Sequence, residues 1–138
     1  MNVGKDPTRI FEARDYPEKD LTERIIGAAI EVHKQLGPGL LESVYQICLA
    51  REFSICGIPF EQEKSIPVKY KGVQLDCGYR LDFLVDNKVI LELKTVDELT
   101  SSHEAQLLTY LRITGCKVGL LINYNTPVLK DGINRLIL

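Results

Sequence analysis

Asp82, Glu92 and Lys94 are the residues whose types and spacing can do chemistry. Val89-Ile90-Leu91-Glu92-Leu93-Lys94 reads as a strand with Leu91 and Leu93 on one face and Glu92 and Lys94 on the other. Its apolar approach suits a central strand, and a buried strand rarely carries charges unless they are paired or bind a metal. Asp82 falls in a second strand, Tyr79 to Val85, where aspartate is disfavoured and so needs a reason. Two carboxylates on neighbouring strands can hold a hard divalent cation, Mg²⁺ or Mn²⁺, with water and the Leu93 carbonyl as further oxygen ligands. Such a cation acidifies a bound water and stabilises charge on a phosphodiester oxygen. Lys94, on the face of Glu92, can orient that water or neutralise the phosphate.

Whether the carboxylates meet depends on the connection between their strands. A two-residue Asp86-Asn87 turn sets Asp82 opposite Leu91 and points the carboxylates apart. A three-residue Asp86-Asn87-Lys88 connection, or a bulge, sets Asp82 opposite Glu92. Joint action therefore rules out the plain two-residue hairpin. Arg80 shares the Asp82 face and can contact phosphate or pair with that carboxylate.

Helices supply the rest. One is predicted from Asp20, with Asp20 and Glu23 as a capping box and Leu21, Ile25, Ala28, Ala29, Val32 and Leu36 as its core face. Gly37-Pro38-Gly39 ends it. A second runs from about Leu41 to Cys56. Glu42 in its first turn suits the positive end of the helix dipole and can also reach the metal if this helix packs beside the sheet. Tyr45 shares its face and is read as a packing residue with a hydrogen-bonded hydroxyl. A third helix runs from about Ser102 to Thr114, with Ser101 and Glu104 as a capping box. Gln106 and Tyr110 share one of its faces, and Tyr110 can simply pack. His33 and His103 are assigned no role.

Between the second helix and the Asp82 strand, a Lys71-Gly72 turn predicts a hairpin pairing Tyr70 with Val73, Val68 with Leu75 and Ile66 with Cys77. Leu81, Phe83 and Val85 are expected on one face of the next strand, with Arg80, Asp82 and Leu84 on the other. After the third helix, Lys117 to Ile122 forms a strand, and the strand–helix–strand order implies a parallel pairing. Pro127 to Leu138 docks as a last edge strand.

With 138 residues, 45% of them hydrophobic, the chain can bury a core without disulfides. Residues 1–17 read as a flexible arm and 18–138 as a single domain. No signal core or membrane-length apolar run appears, and four widely spaced cysteines argue against a disulfide framework or zinc site, so a cytoplasmic setting is expected. A net charge of −2 argues against a broad basic surface that grips nucleic acid non-specifically, and leaves room for a local basic groove.

Asp82…Glu92-Leu93-Lys94 resembles the PD-(D/E)XK nuclease signature, with Leu81 where proline is usual. Gln106 and Tyr110 resemble the Gln-x-x-x-Tyr motif of RecB-type members. Gly39-x-x-Glu42-x-x-Tyr45 is similar to the signature of the GxxExxY branch, as is the tail from Asn123 to Ile133. The resemblance implies an α/β, restriction-endonuclease-like core, a mixed sheet flanked by helices. It implies metal sites at Asp82 and Glu92, Glu42 as an auxiliary acid, Lys94 as the catalytic lysine, and Gln106 and Tyr110 positioning substrate. The function expected is metal-dependent hydrolysis of nucleic acid, DNA foremost, with a protein partner or homodimer left open. A module that keeps the fold but only binds nucleic acid or protein is the alternative.

Overall fold

The computed structural model describes residues 16–138, so the expected arm over 1–17 lies, but for its last two residues, outside the described residues. Among the described residues, three helices, α1 (Lys19–Leu36), α2 (Glu42–Cys56) and α3 (Ser101–Thr114), flank a five-stranded mixed sheet. Its strands β1 (Phe60–Ser65), β4 (Arg80–Val85), β5 (Val89–Lys94), β6 (Val118–Asn123) and β7 (Ile133–Ile137) lie in that spatial order. A separate two-stranded hairpin is made of β2 (Val68–Tyr70) and β3 (Val73–Leu75). Among the described residues only the β5–β6 pair is parallel, because α3 carries the chain back between them. This is the α/β architecture expected.

β5 is the central strand and is buried on both faces until Lys94. On one side Val89, Leu91 and Leu93 join Ile25 and Ala29 of α1 and Leu49 and Phe53 of α2. On the other side Ile90 joins Leu107 and Leu111 of α3. Fully burying such a side chain contributes about 1.5–3 kcal/mol. A one-residue slip of β5 would exchange Leu91 and Leu93 for Glu92 and Lys94, so the core holds the register firmly. Gly119 lets α3 approach β6: an added Cβ there would lie 2.9 Å from Leu107 side-chain atoms.

Several local expectations are corrected. α1 is entered through Glu18 in a left-handed conformation, without the side-chain cap expected of Asp20, which sits inside the first turn. α3 is capped by Thr100, whose hydroxyl accepts from the His103 N–H while its own N–H donates to His103 Nδ1. Glu104, expected in the capping box, instead accepts from Asn134 Nδ2 at 3.1 Å.

β1 carries no periodic apolar signal, because it is an edge strand whose one large apolar residue is Phe60 and whose other side chains are polar and mostly exposed, so the sequence pattern does not announce it. The hairpin forms with the expected Tyr70–Val73 and Val68–Leu75 pairs. The Ile66–Cys77 pair does not form: the Ile66 N–H donates to the Tyr79 carbonyl at 3.0 Å, which continues the β1–β4 alignment instead. The alternation expected along β4 fails at Asp82, since Leu81 packs with the α3-side cluster while Phe83 and Val85 pack under α1 and α2.

Candidate active site

The break in β4 is where the site forms. The β4–β5 ladder pairs Val85 with Val89, Leu84 with Ile90 and Phe83 with Leu91, and then stops. In that register the next opposed residues are Asp82 and Glu92. The connection is the three-residue one, the first of the two routes that let the carboxylates meet: Asp86 and Asn87 both have positive φ, the Lys88 N–H closes the turn onto the Val85 carbonyl, and Lys88 is the extra residue.

Beyond Phe83 the side chains replace the ladder. The Asp82 N–H donates to Glu92 Oε2 at 2.9 Å, and the Leu93 N–H donates to Asp82 Oδ2 at 2.8 Å. Each carboxylate thus binds the backbone of the other's strand, which fixes its rotamer. Asp82 Oδ1 and Glu92 Oε1 accept no hydrogen bond from the described residues and remain for a ligand. The β1–β4 ladder opens at the same point. Glu63, whose place falls opposite Asp82, sits at φ 48, a strained value for a non-glycine residue.

Leu93 offers a third oxygen. In a strand the N–H and C=O of one residue leave the same edge. The Leu93 N–H faces β4, so its carbonyl does too. The neighbouring Lys94 carbonyl points the other way and accepts from the Tyr124 N–H at 2.9 Å.

The electrostatics couple three carboxyls to one lysine. Glu92 is 5% exposed, and its carboxyl is pushed up to about 8, first by burial and then by the Asp82 charge. Burial also raises Asp82, offset by the Leu93 N–H and Lys94. Glu42 is raised by burial and by Asp82, and lowered by Lys94. Lys94 therefore acts on all three carboxyls. Tyr110 is raised by burial, by Glu92, by Tyr79 and by Asp82, so its hydroxyl belongs to the same neighbourhood. Its ring meets Tyr79 edge-on at 5.5 Å.

The helix bearing Glu42 is held by Tyr45, which is buried as a packing residue with a bonded hydroxyl. That hydroxyl donates to the Gly37 carbonyl at 2.6 Å and accepts from the Leu40 N–H at 3.1 Å, pinning the α1–α2 turn. Its ring stacks on Tyr124 at 4.3 Å, and the Tyr124 N–H is the one bonded to the Lys94 carbonyl. The elements bearing Glu42 and Lys94 are thereby tied through two rings. Asn123, the last residue of β6, is 2% exposed and clamps the segment after Lys94: its Nδ2 donates to the Val96 carbonyl at 2.8 Å and its Oδ1 accepts from the Val96 N–H at 3.1 Å. Gly132 closes against this end, since an added Cβ would collide with the Asn123 carbonyl. In the sequence Asn123 and Tyr124 stand only as part of the tail, and a polar residue closing an apolar strand is the one signal for such a clamp.

Asp82 and Glu92 are thus brought together on one gap in the sheet, and Lys94, Glu42 and Tyr110 lie within electrostatic reach of them. Gln106 is exposed one turn earlier on α3. Arg80 points to Glu63 at 3.8 Å rather than to Asp82, with both side chains largely exposed.

A sequence model of the PD-(D/E)XK nuclease superfamily matches residues 19–136. The chain belongs to that superfamily. Its five-stranded mixed sheet with flanking helices is the restriction-endonuclease-like core of the group. No curated protein and no solved structure matches the chain. Superfamily membership points to a nuclease that binds nucleic acid, and PD-(D/E)XK nucleases in general use divalent metals.

The donor set suits such an ion: two fixed carboxylates, each with one oxygen left over, and a backbone carbonyl on the same edge are hard oxygen ligands. Among the described residues, no three His, Cys, Asp or Glu side chains converge closely enough to hold a metal by themselves. Water or the Leu93 carbonyl would have to complete the shell. Among the described residues, no helix is long and apolar enough to cross a membrane.

Proposed function

We propose that this protein is a metal-dependent nuclease of the GxxExxY branch that hydrolyses phosphodiester bonds in DNA. The observation that carries the reading is the crossed pair of carboxylates. Asp82 and Glu92 each bind the opposite strand's backbone and leave one oxygen free at a gap in the sheet. A purely structural pair of buried carboxylates repels and raises both pKa values at a cost in stability, so the arrangement calls for a cation.

Asp82, Glu92 and the Leu93 carbonyl would hold Mg²⁺ or Mn²⁺, with Glu42 as an auxiliary acid reaching the ion through water. When bound, the metal supplies Lewis-acid stabilisation of the phosphate and an acidified water. Lys94, placed by the β5–β6 ladder and the Tyr124 bond, orients the attacking water and offsets the negative charge that grows on the phosphate. Tyr110 presents its hydroxyl to the same space as a donor to phosphate oxygen. Gln106, on the exposed face one turn away, contacts the flanking nucleotide. Arg80 exchanges Glu63 for a substrate phosphate, at little cost because exposed ion pairs are weak. Four free cysteines fit a reducing, cytoplasmic setting.

The test is cleavage of plasmid and single-stranded DNA by wild type and Glu92→Ala, with Mg²⁺, with Mn²⁺ and with EDTA. The expected result is cutting that needs metal and falls by at least about a hundredfold in the variant, in line with the loss of a main charge-stabilising group. Equal cutting by the variant, or none by metal-loaded wild type, would sink the proposal. In the second case a module that only binds would take its place.

A further inference from the structure

Away from the carboxylates, an open cleft of about 640 Å³ lies between the β2–β3 hairpin and the C-terminal turn of α3. Lys64, Lys69 and Arg112 stand around it, Gln74 and Asn87 offer amides, and no carboxylate lines it. The chain as a whole has 17 basic and 19 acidic residues, so a lining with three cations and no acid departs from its average. Lys64 is paired with Glu61 at 2.9 Å, outside the cleft. Among the described residues, Lys69 and Arg112 have no ion-pair partner. Like charges gathered without a counter-charge repel, and a cleft of one sign concentrates an anion of the other.

Its position gives the anion an identity. Leu84 lines the cleft and lies two residues along β4 from Asp82. At about 3.3 Å per residue that is roughly 7 Å, about one nucleotide step of an extended single strand. Ile66 and Leu84 of the cleft pack in one cluster with Leu107 and Leu111 of α3, and Glu92 lies on the strand face of Ile90, which packs in that same cluster.

We propose that this cleft is the track for the nucleic-acid strand flanking the cut, with Lys69 and Arg112 each holding a backbone phosphate and the apolar floor receiving a base. The inference rests on the nuclease reading and extends it to the path of the substrate. The hairpin, whose strands pack on none of the five-stranded sheet's ladders, has a function here: it forms the outer wall and turns its Lys69–Gln74 pair inward.

The test compares the full chain with a Lys69→Gln/Arg112→Gln double variant and a charge-keeping Lys69→Arg/Arg112→Lys control. A labelled long single-stranded oligonucleotide and a dinucleotide are titrated at several salt concentrations, with Ca²⁺ in place of Mg²⁺ to prevent cutting. Each phosphate contact contributes about 0.7 to the salt slope on a single strand, so losing two should lower the slope by about 1.4 and weaken binding about 25-fold near 0.1 M salt. The dinucleotide, the heat of Mg²⁺ binding and the charge-keeping control should be unaffected. Both residues are exposed, and an unchanged urea midpoint would show that the variant folds. An unchanged affinity and slope in a variant that still binds and cuts would overturn the cleft alone. Equal loss for the dinucleotide would also overturn it, because the cations would then act at the cut itself. A wild type that binds neither ligand would overturn the nuclease reading together with the cleft.

Discussion

Glu92→Gln removes a titrating proton from the site while keeping an oxygen that accepts from the Asp82 N–H. In the folded, metal-free protein the Glu92 carboxyl is held at about 8 against an ordinary 4.5, first by burial and next by Asp82. Between those values the folded state binds more protons than the unfolded state, so stability falls as pH rises. The favourable contribution is complete below about pH 4.5, declines through neutrality and is gone above about 8. At about 1.4 kcal/mol per pH unit the ceiling is roughly 5 kcal/mol, and at least about 2 kcal/mol should be measurable. The assay is urea unfolding in EDTA from about pH 5 to 8 for both proteins. The variant should gain on wild type steadily as pH rises. Saturating Mg²⁺ at neutral pH should reverse the order, because a ligand of the native state stabilises only the protein that binds it. A difference between the two proteins that stays constant across this pH range would refute the reasoning.

Other outcomes follow from the same contacts. Tyr45→Phe keeps the ring on Tyr124 but loses the bonds to Gly37 and Leu40, and should cost about 1 kcal/mol in urea unfolding and speed exchange of the Leu40 amide. An unchanged exchange rate would count against Tyr45 as the pin of the Glu42 helix. Gly132→Ala drives a Cβ into the Asn123 backbone and should destabilise by about 1–3 kcal/mol in thermal or urea unfolding, and a neutral effect would contradict that close approach. Arg80→Ala should change stability by less than about 0.5 kcal/mol, since its partner Glu63 is exposed, yet should weaken DNA binding and lower its salt slope. A large stability loss without any binding change would make Arg80 structural.

Sequence alone determined the chemistry that is available and much of the frame. The alternation of Leu91 and Leu93 with Glu92 and Lys94 defines a two-faced strand whatever surrounds it, and the helical spacing from Leu21 to Leu36 defines α1 in the same way. Turn residues and the strand–helix–strand order were enough for the parallel β5–β6 pair. Those are local rules, set by backbone period and residue type. The sequence could state the condition for Asp82 to meet Glu92, but not choose between a two- and a three-residue connection, because that choice is settled by which side chains the flanking strands bury.

The remaining features are contacts between distant segments, and no local pattern encodes them. Tyr45 reaches Gly37 and stacks on Tyr124, and Asn123 reaches back to Val96. Arg80 finds Glu63 on a strand that has no apolar period to announce it. Lys69 and Arg112 stand around one cleft only because the hairpin and α3 lie on the same side of the sheet. Burial by those layers, rather than the residue type, raises the Glu92 carboxyl far above its ordinary value.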